Sequence, residues 1–158
     1  MTEPNATEPC VFIGMDAGEI GWVRFTLRVA QQEFSYDISD LTDALGDLIR
    51  AALQIACGGH IAQAVFQLEP GDLFIHLERV VPSNPKLQIR IREERGAGEI
   101  ELYRAEAGPD QFAKAVLGAA GVILATSGEK GFETRWDRPF PVRAMAALKR
   151  ALATPSPL

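Results

Sequence analysis

Hydrophobic and polar residues alternate along the first forty positions of the chain, which is the period of a strand with one buried face. The alternation is strongest at 22–29 and shorter in the runs that begin at Val11 and Phe34. In the strongest run one side is apolar, formed by Val23, Phe25, Leu27 and Val29. Three strands are therefore predicted before the first helix.

The period becomes helical at Asp40, a residue type that caps helix N-termini, and Asp43 falls at the third helical position. Apolar residues then recur at helical spacing from Leu41 to Ala56. Gly58-Gly59 predicts the end of this first helix.

Four more alternating runs follow between Ala62 and Tyr103, and Glu69-Pro70-Gly71-Asp72 has the residue types of a tight turn between the first two. Pro82 to Pro85 predicts the next break. Gly96-Ala97-Gly98 predicts a hairpin between the last two strands.

Ile100 and Leu102 are expected to face the core from the last strand. That register would place Arg90 opposite Glu101 and Arg92 opposite Glu99, pairs of opposite charge across neighbouring strands.

Two helices are predicted at the end of the chain. Pro109 suits the first turn of the second helix and Gly128 its end. Gly118 and Gly121 each cost about 1 kcal/mol of helix propensity relative to alanine, so close packing against a neighbour is expected to offset them. The third helix is predicted from Pro141 to Leu152.

These elements predict an α+β fold with the order βββαββββαα. We expect a single antiparallel β-sheet of about six to seven strands, with about three helices packed on one face. At 158 residues the chain matches one domain spanning 1–158, with flexible tails at 1–9 and 153–158.

The charge of the chain is unevenly distributed although its formal net charge is only -5. Residues 1–47 hold nine acidic residues against two arginines, a net of -7, whereas residues 129–158 carry a net of +3. Opposed charges of this kind orient charged partners during association.

The composition indicates a cytoplasmic protein that does not enter the membrane. The first nine residues lack the cationic start and apolar core of a secretory signal, and the apolar stretch from Phe112 to Thr126 is interrupted by Lys114 and two glycines. Two cysteines, Cys10 and Cys57, are too few for a disulfide scaffold, which favours a reducing compartment.

No motif in the chain predicts catalysis, a metal or a cofactor. The sequence Cys57-Gly58-Gly59-His60 could supply a thiol and a base, but adjacent positions seldom have the geometry that nucleophilic catalysis needs. The two histidines, His60 and His76, have no metal-ligand spacing. The glycines lack the context of a phosphate loop.

A basic and aromatic segment near the C-terminus admits two interpretations. Phe132, Trp136 and Phe140 are interleaved with arginines, as in surfaces that bind a protein or RNA. The favoured interpretation is that the aromatic residues anchor this connection on the core while the arginines reach solvent. The acidic pI of about 5.1 argues against nucleic-acid binding.

Three short runs resemble those of small bacterial proteins, some of them similar to immunity proteins of polymorphic toxin systems: Leu41 to Ala52, Glu69 to Leu73, and Glu133 to Pro141. The resemblance implies a small, acidic, cytoplasmic protein that binds and neutralises a toxin. None of the three runs is a catalytic motif.

We therefore expect a non-enzymatic protein-binding domain, plausible as an immunity-type protein, with another protein as its partner. Five residues of the charged surface are the leading binding candidates: Asp40, Asp43, Asp47, Trp136 and Arg138. The alternative is a small enzyme or ligand-binding domain with a pocket between sheet and helices. The sequence leaves the oligomeric state open.

Overall fold

The computed structural model describes residues 9–81 and 84–154, which form seven strands and three helices in the predicted order βββαββββαα. The strands are β1 (Val11–Ala17), β2 (Trp22–Val29), β3 (Gln32–Ser39), β4 (Ile61–Gln67), β5 (Asp72–Val81), β6 (Asn84–Arg95) and β7 (Gly98–Ala107). The helices are α1 (Ala44–Ala56), α2 (Pro109–Trp136) and α3 (Val142–Ala153). Of the predicted break between β5 and β6, Pro82 and Ser83 lie outside the described residues.

The strands form two antiparallel sheets, so the prediction of one sheet of six to seven strands is wrong. One sheet has three strands in the order β1-β2-β3, and the other has four in the order β4-β5-β6-β7. Alternation shows which face of a strand is buried but not which strand lies beside it. The predicted layer of helices on one face of a single sheet is replaced by two sheets and three helices around a shared core.

Aromatic side chains join the two sheets at the centre of the core. The rings of Phe25 on β2 and Phe66 on β4 meet edge to face, with 5.1 Å between centroids. Phe34 on β3 packs against Tyr103 on β7 at 5.8 Å, and the Tyr103 hydroxyl donates to the backbone oxygen of Gln32 at 3.0 Å. Burial raises the pKa of Tyr103, since ionisation would place a phenolate in this apolar contact.

Helix α1 begins three residues later than predicted. Its N-cap is Asp43, not Asp40, and the Asp43 carboxylate accepts a hydrogen bond from the backbone of Gly46 at 3.1 Å. Leu41, predicted to face the core, is 58% exposed. Gly58 ends the helix as predicted, with a φ of 94° that favours glycine.

Strand β7 contains a bulge that the sequence interpretation missed. Ile91 lies opposite Tyr103, whereas the next residue of β6, Arg92, lies opposite Glu101, so Leu102 is an extra residue. The bulge reverses the alternation along β7. Ile100, opposite Glu93 near the hairpin turn, keeps the inner side of the sheet but lies at its end and is 60% exposed, so its expected place in the core is wrong. Leu102 and Tyr103 are half-buried against the core, and Ala105 and Ala107 are buried in it.

Helix α2 is interrupted at Gly128, whose φ of 68° and ψ of 172° are not helical. The first segment ends there as predicted, but a second helical segment replaces the irregular connection expected before Trp136. Phe132, Trp136 and Phe140 are buried, which confirms the interpretation that they anchor this part of the chain on the core. The expectation that the arginines reach solvent is wrong for Arg135 and Arg138, which are half-buried and donate to backbone oxygens.

Length and composition alone would allow α2 to cross a bilayer, which is true of no other helix in the described part of the chain. One face of α2 lies in the protein core, through Phe112, Val116, Ala120 and Ile123. In this fold α2 is therefore a core helix with an opposite face that is open.

The stability of the sheet depends on which face of β6 is buried. Ile89 is fully buried, whereas Gln88 lies on the outer face. Ile89→Asp is expected to lower the free energy of unfolding by about 3–5 kcal/mol because it buries a carboxylate, and Gln88→Asp should change it by less than about 1 kcal/mol. Denaturant unfolding of both variants measures the difference, and equal losses would contradict the register of β6.

The glycines of α2 are unused by packing, contrary to the close contact expected for them. A methyl group at Gly118 or Gly121 would meet no atom within 4 Å. Gly118→Ala and Gly121→Ala are each expected to stabilise the protein by about 0.5–1 kcal/mol, since alanine favours the helix. Gly128→Ala is the matched control and should destabilise, because its φ is positive. Thermal unfolding that shows a loss at Gly118 or Gly121 would contradict an open face.

Candidate binding surface

Two of the predicted binding residues, Asp40 and Arg138, contact a network that holds the second segment of α2 on the fold. Arg135 lies at its centre and pairs with the Asp40 carboxylate at 3.3 Å. The same guanidinium donates to the backbone oxygens of Gly18, Glu19 and Trp22 at 2.8–3.1 Å.

Arg138 extends this network by donating to the backbone oxygens of Asp40 and Leu41 at 3.1 and 2.9 Å. Trp136 is only 4% exposed and stacks on Phe132, with 4.8 Å between ring centroids. These residues therefore connect α2 to the turn between β1 and β2 and to the segment before α1.

Asp43 and Asp47, the remaining candidates, both pair with Arg50, at 3.2 and 2.8 Å. The hydrogen bond that Arg50 donates to Asp47 is the largest cause of the raised pKa of Arg50. Because α1 starts at Ala44, Asp47 lies in its first turn, where a carboxylate stabilises the helix. That these five candidates bind a partner stays a prediction, but each already has a role within the fold.

Cys57 and His60 end up at the exposed end of α1, where Cys57 is the C-cap residue and a free cysteine. Across residues 9–81 and 84–154, no three side chains of His, Cys, Asp or Glu converge as metal ligands would. The absence of a metal and of catalysis stays a prediction.

The outer face of the three-stranded sheet pairs its own charges. Arg24 binds Asp37 at 2.8 Å, and Arg28 binds Glu33 at 3.4 Å, in each case across β2 and β3. Thr26 and Ser35 share a hydrogen bond of 2.8 Å between those pairs. A face in which each cation has a cross-strand carboxylate is satisfied without a partner.

The outer face of the four-stranded sheet is arranged differently. His76 on β5, Arg90 on β6 and Arg104 on β7 lie directly opposite one another, so that three basic side chains form one row across the sheet. We call His76, Arg90 and Arg104 the basic row. Neighbouring members of such a row have Cβ atoms about 5 Å apart, close enough for like charges to repel.

Two members of the basic row have a carboxylate partner and the third has none. Arg104 binds Glu101 at 3.0 Å, and His76 lies 3.7 Å from Glu78. Arg90 is half-buried and forms no hydrogen bond or ion pair with any described residue, and its Nε is shielded from solvent as well.

Carboxylates flank the basic row on both sides without reaching Arg90. Along β6 the nearest residues on the same face are Gln88 and Arg92, neither of which is acidic. Arg92 itself pairs with Glu99 and lies over the ring of Phe74, 5.8 Å from its centroid. Among the residues that the structure describes, the face therefore presents one guanidinium without an acceptor, between two acidic margins formed by Glu78 and Glu106 and by Glu99 and Glu101.

A groove of about 420 Å³ opens where the two sheets meet. It is lined in part by Trp22, Tyr36 and Glu69. Glu69 adopts a φ of 58°, a region that non-glycine residues seldom occupy. Burial raises the pKa of Tyr36, with a further contribution from its hydrogen bond to Glu93.

The sequence placed Arg90 on the outer face but gave it Glu101 as its neighbour, and the predicted pair is wrong. The bulge at Leu102 puts Arg104 opposite Arg90, while Glu101 pairs with Arg104. Arg92 and Glu99 do pair as expected, although they are not directly opposite. The signal for the bulge was the change of apolar phase between Leu102 and Tyr103.

The unpaired state of Arg90 predicts an unusual response to mutation. Arg90→Met is expected to leave the free energy of unfolding unchanged or raise it by up to about 1 kcal/mol, because it removes an unsatisfied donor and a like-charge contact. Arg28→Met, the matched control on the other sheet, should lower it slightly, since Arg28 pairs with Glu33 and lies over Phe12. Denaturant unfolding would contradict this if Arg90→Met were the more damaging.

Comparison of this chain with protein-family models, with characterised proteins and with solved structures found no match. The resemblance of its short runs to those of immunity proteins is therefore neither supported nor opposed by a relative. Function has to be argued from the surface itself.

Proposed function

We propose that this chain is a non-enzymatic binding protein that recognises another protein through the outer face of its four-stranded sheet. The observation that carries the proposal is the basic row, in which Arg90 has no acceptor among the described residues. Following the resemblance in its short runs, the proposal takes the form of an immunity-type protein that binds and neutralises a toxin.

The shape of the surface favours a macromolecule over a small molecule. Four strands of 7 to 12 residues, about 4.8 Å apart, present an area on the order of 600 Å², and a small ligand needs a concave site to cover most of its surface. An ordinary protein interface takes about 800 Å² from each partner, so this face with its rim supplies most of one.

The acidic margins favour a protein over a nucleic acid. A nucleic-acid backbone carries closely spaced phosphates, which Glu78, Glu99, Glu101 and Glu106 would repel. The acidic pI of about 5.1 acts in the same direction. A protein surface can instead present opposite charges at matching positions, which fixes orientation and speeds association.

The test takes as the candidate partner the protein whose gene lies beside the gene for this chain in its host. The two proteins are co-expressed and purified, and the candidate partner is then titrated against this chain. Its affinity is measured by titration calorimetry at low and high salt. Gln88→Trp places a bulky neutral side chain on the proposed face and should weaken binding at least 10-fold, while Thr26→Trp on the other sheet should not. Binding unaffected by Gln88→Trp would contradict the proposed face.

The groove between the sheets supports a second candidate, a small-molecule-binding domain or small enzyme. Trp22 lines the groove whereas Trp136 is buried, so a ligand in the groove would change mainly the fluorescence of Trp22. Trp22→Phe should abolish that change. Thermal stabilisation by a metabolite, with no protein partner at either salt concentration, would favour this candidate over the first.

A further inference from the structure

We infer that Arg90 anchors an anion site that takes a single carboxylate, from an aspartate or glutamate of the protein partner. This inference rests on the proposed function and names the chemistry by which the same face recognises its partner. It concerns one side chain on the central strand β6, between His76 and Arg104.

The first step is the unfilled hydrogen-bonding capacity of Arg90. A guanidinium has five N–H donors in a planar fork and stays charged at neutral pH. In the described part of the chain none of the five has an acceptor, and Nε is out of reach of solvent. The two Nη groups are not shielded in this way and can donate two parallel hydrogen bonds to a bound carboxylate.

The second step is the charge of the neighbours. Arg104 lies directly opposite Arg90 on β7, so two guanidinium groups adjoin at this point of the face and can share one anion. Arg104 and Glu101 are both substantially exposed, at 54% and 38%, and a pair so exposed holds Arg104 only weakly. Arg104 can therefore also attract the carboxylate that Arg90 binds.

The third step is the limit that the acidic margins set. They lie on both sides of the basic row, and a second negative charge on the ligand would face them. The site therefore fits one carboxylate with neutral or basic residues around it. Phe74 and Val65, half-buried beside Arg92 on the same face, supply apolar contact for those flanking residues.

The experiment uses the full chain labelled with ¹⁵N. Its backbone amide shifts are followed by NMR while each of four probes is added. The probes are the capped peptides Lys-Gly-Asp-Gly-Lys and Lys-Gly-Asn-Gly-Lys, inorganic phosphate, and a six-nucleotide oligouridylate. The aspartate peptide is expected to shift the backbone amides of Phe74 to Glu78 and of Tyr103 to Ala105. Arg90→Gln should weaken its binding at least 10-fold, while Arg28→Gln on the other sheet should leave it within about 2-fold.

Equal shifts from the asparagine peptide would overturn the inference, because the carboxylate would then be irrelevant. Tighter binding of phosphate or of the oligouridylate would overturn the inference in favour of a phosphate ligand. The absence of any shift with the aspartate peptide would also overturn the inference. These outcomes are separate from the proposed function, which is tested by the effect of Gln88→Trp on the protein partner. Loss of partner binding in Gln88→Trp but not in Arg90→Gln would keep the proposed function and reject the carboxylate site.

Discussion

The fold depends on the need of two small sheets to cover their apolar faces. Neither the three-stranded nor the four-stranded sheet could bury its inner side chains alone, and they meet through Phe25 and Phe66 at 5.1 Å. The three helices complete the same core. Because the inner faces are used in this way, both outer faces remain in contact with solvent. The functional question then becomes how each outer face satisfies its own charges.

Arg135 closes this arrangement at one end. One guanidinium pairs with Asp40 and reaches three backbone oxygens of the turn after β1, so it joins α2, the first sheet and the segment before α1. This set of contacts needs both a positive charge and a planar fork of donors, and lysine would supply only the charge. Part of the positive charge of the basic C-terminal segment is therefore used to hold the fold. The net charge counted along the sequence overstated the positive charge that remains free to attract a partner.

Local patterns predicted the order and type of every helix and strand, because each depends on residues close in sequence. The buried sides of β2, β5 and β6 were predicted correctly for the same reason. The division into two sheets was not predicted, since pairing between strands depends on residues that are far apart in the sequence. The start of α1 was misplaced because Asp40 and Asp43 are equally good capping residues; in the structure Asp43 caps the helix and Asp40 pairs with the distant Arg135. Arg90 could be placed on the outer face, but not its lack of an acceptor.

That lack follows from the bulge at Leu102. If the register next to the hairpin turn continued without it, Arg104 would lie opposite Ile89 on the buried face, and Tyr103 opposite Arg90. Burying an arginine without a partner costs several kcal/mol, whereas two like charges opposite each other on an exposed face cost about 0.2–1 kcal/mol. The bulge therefore sends Arg104 outward beside Arg90 and lets Ala105 take the inner place. The burial of Ala105 in place of Arg104 thus sets two guanidinium groups side by side on the outer face, where Arg90 has no acceptor among the described residues.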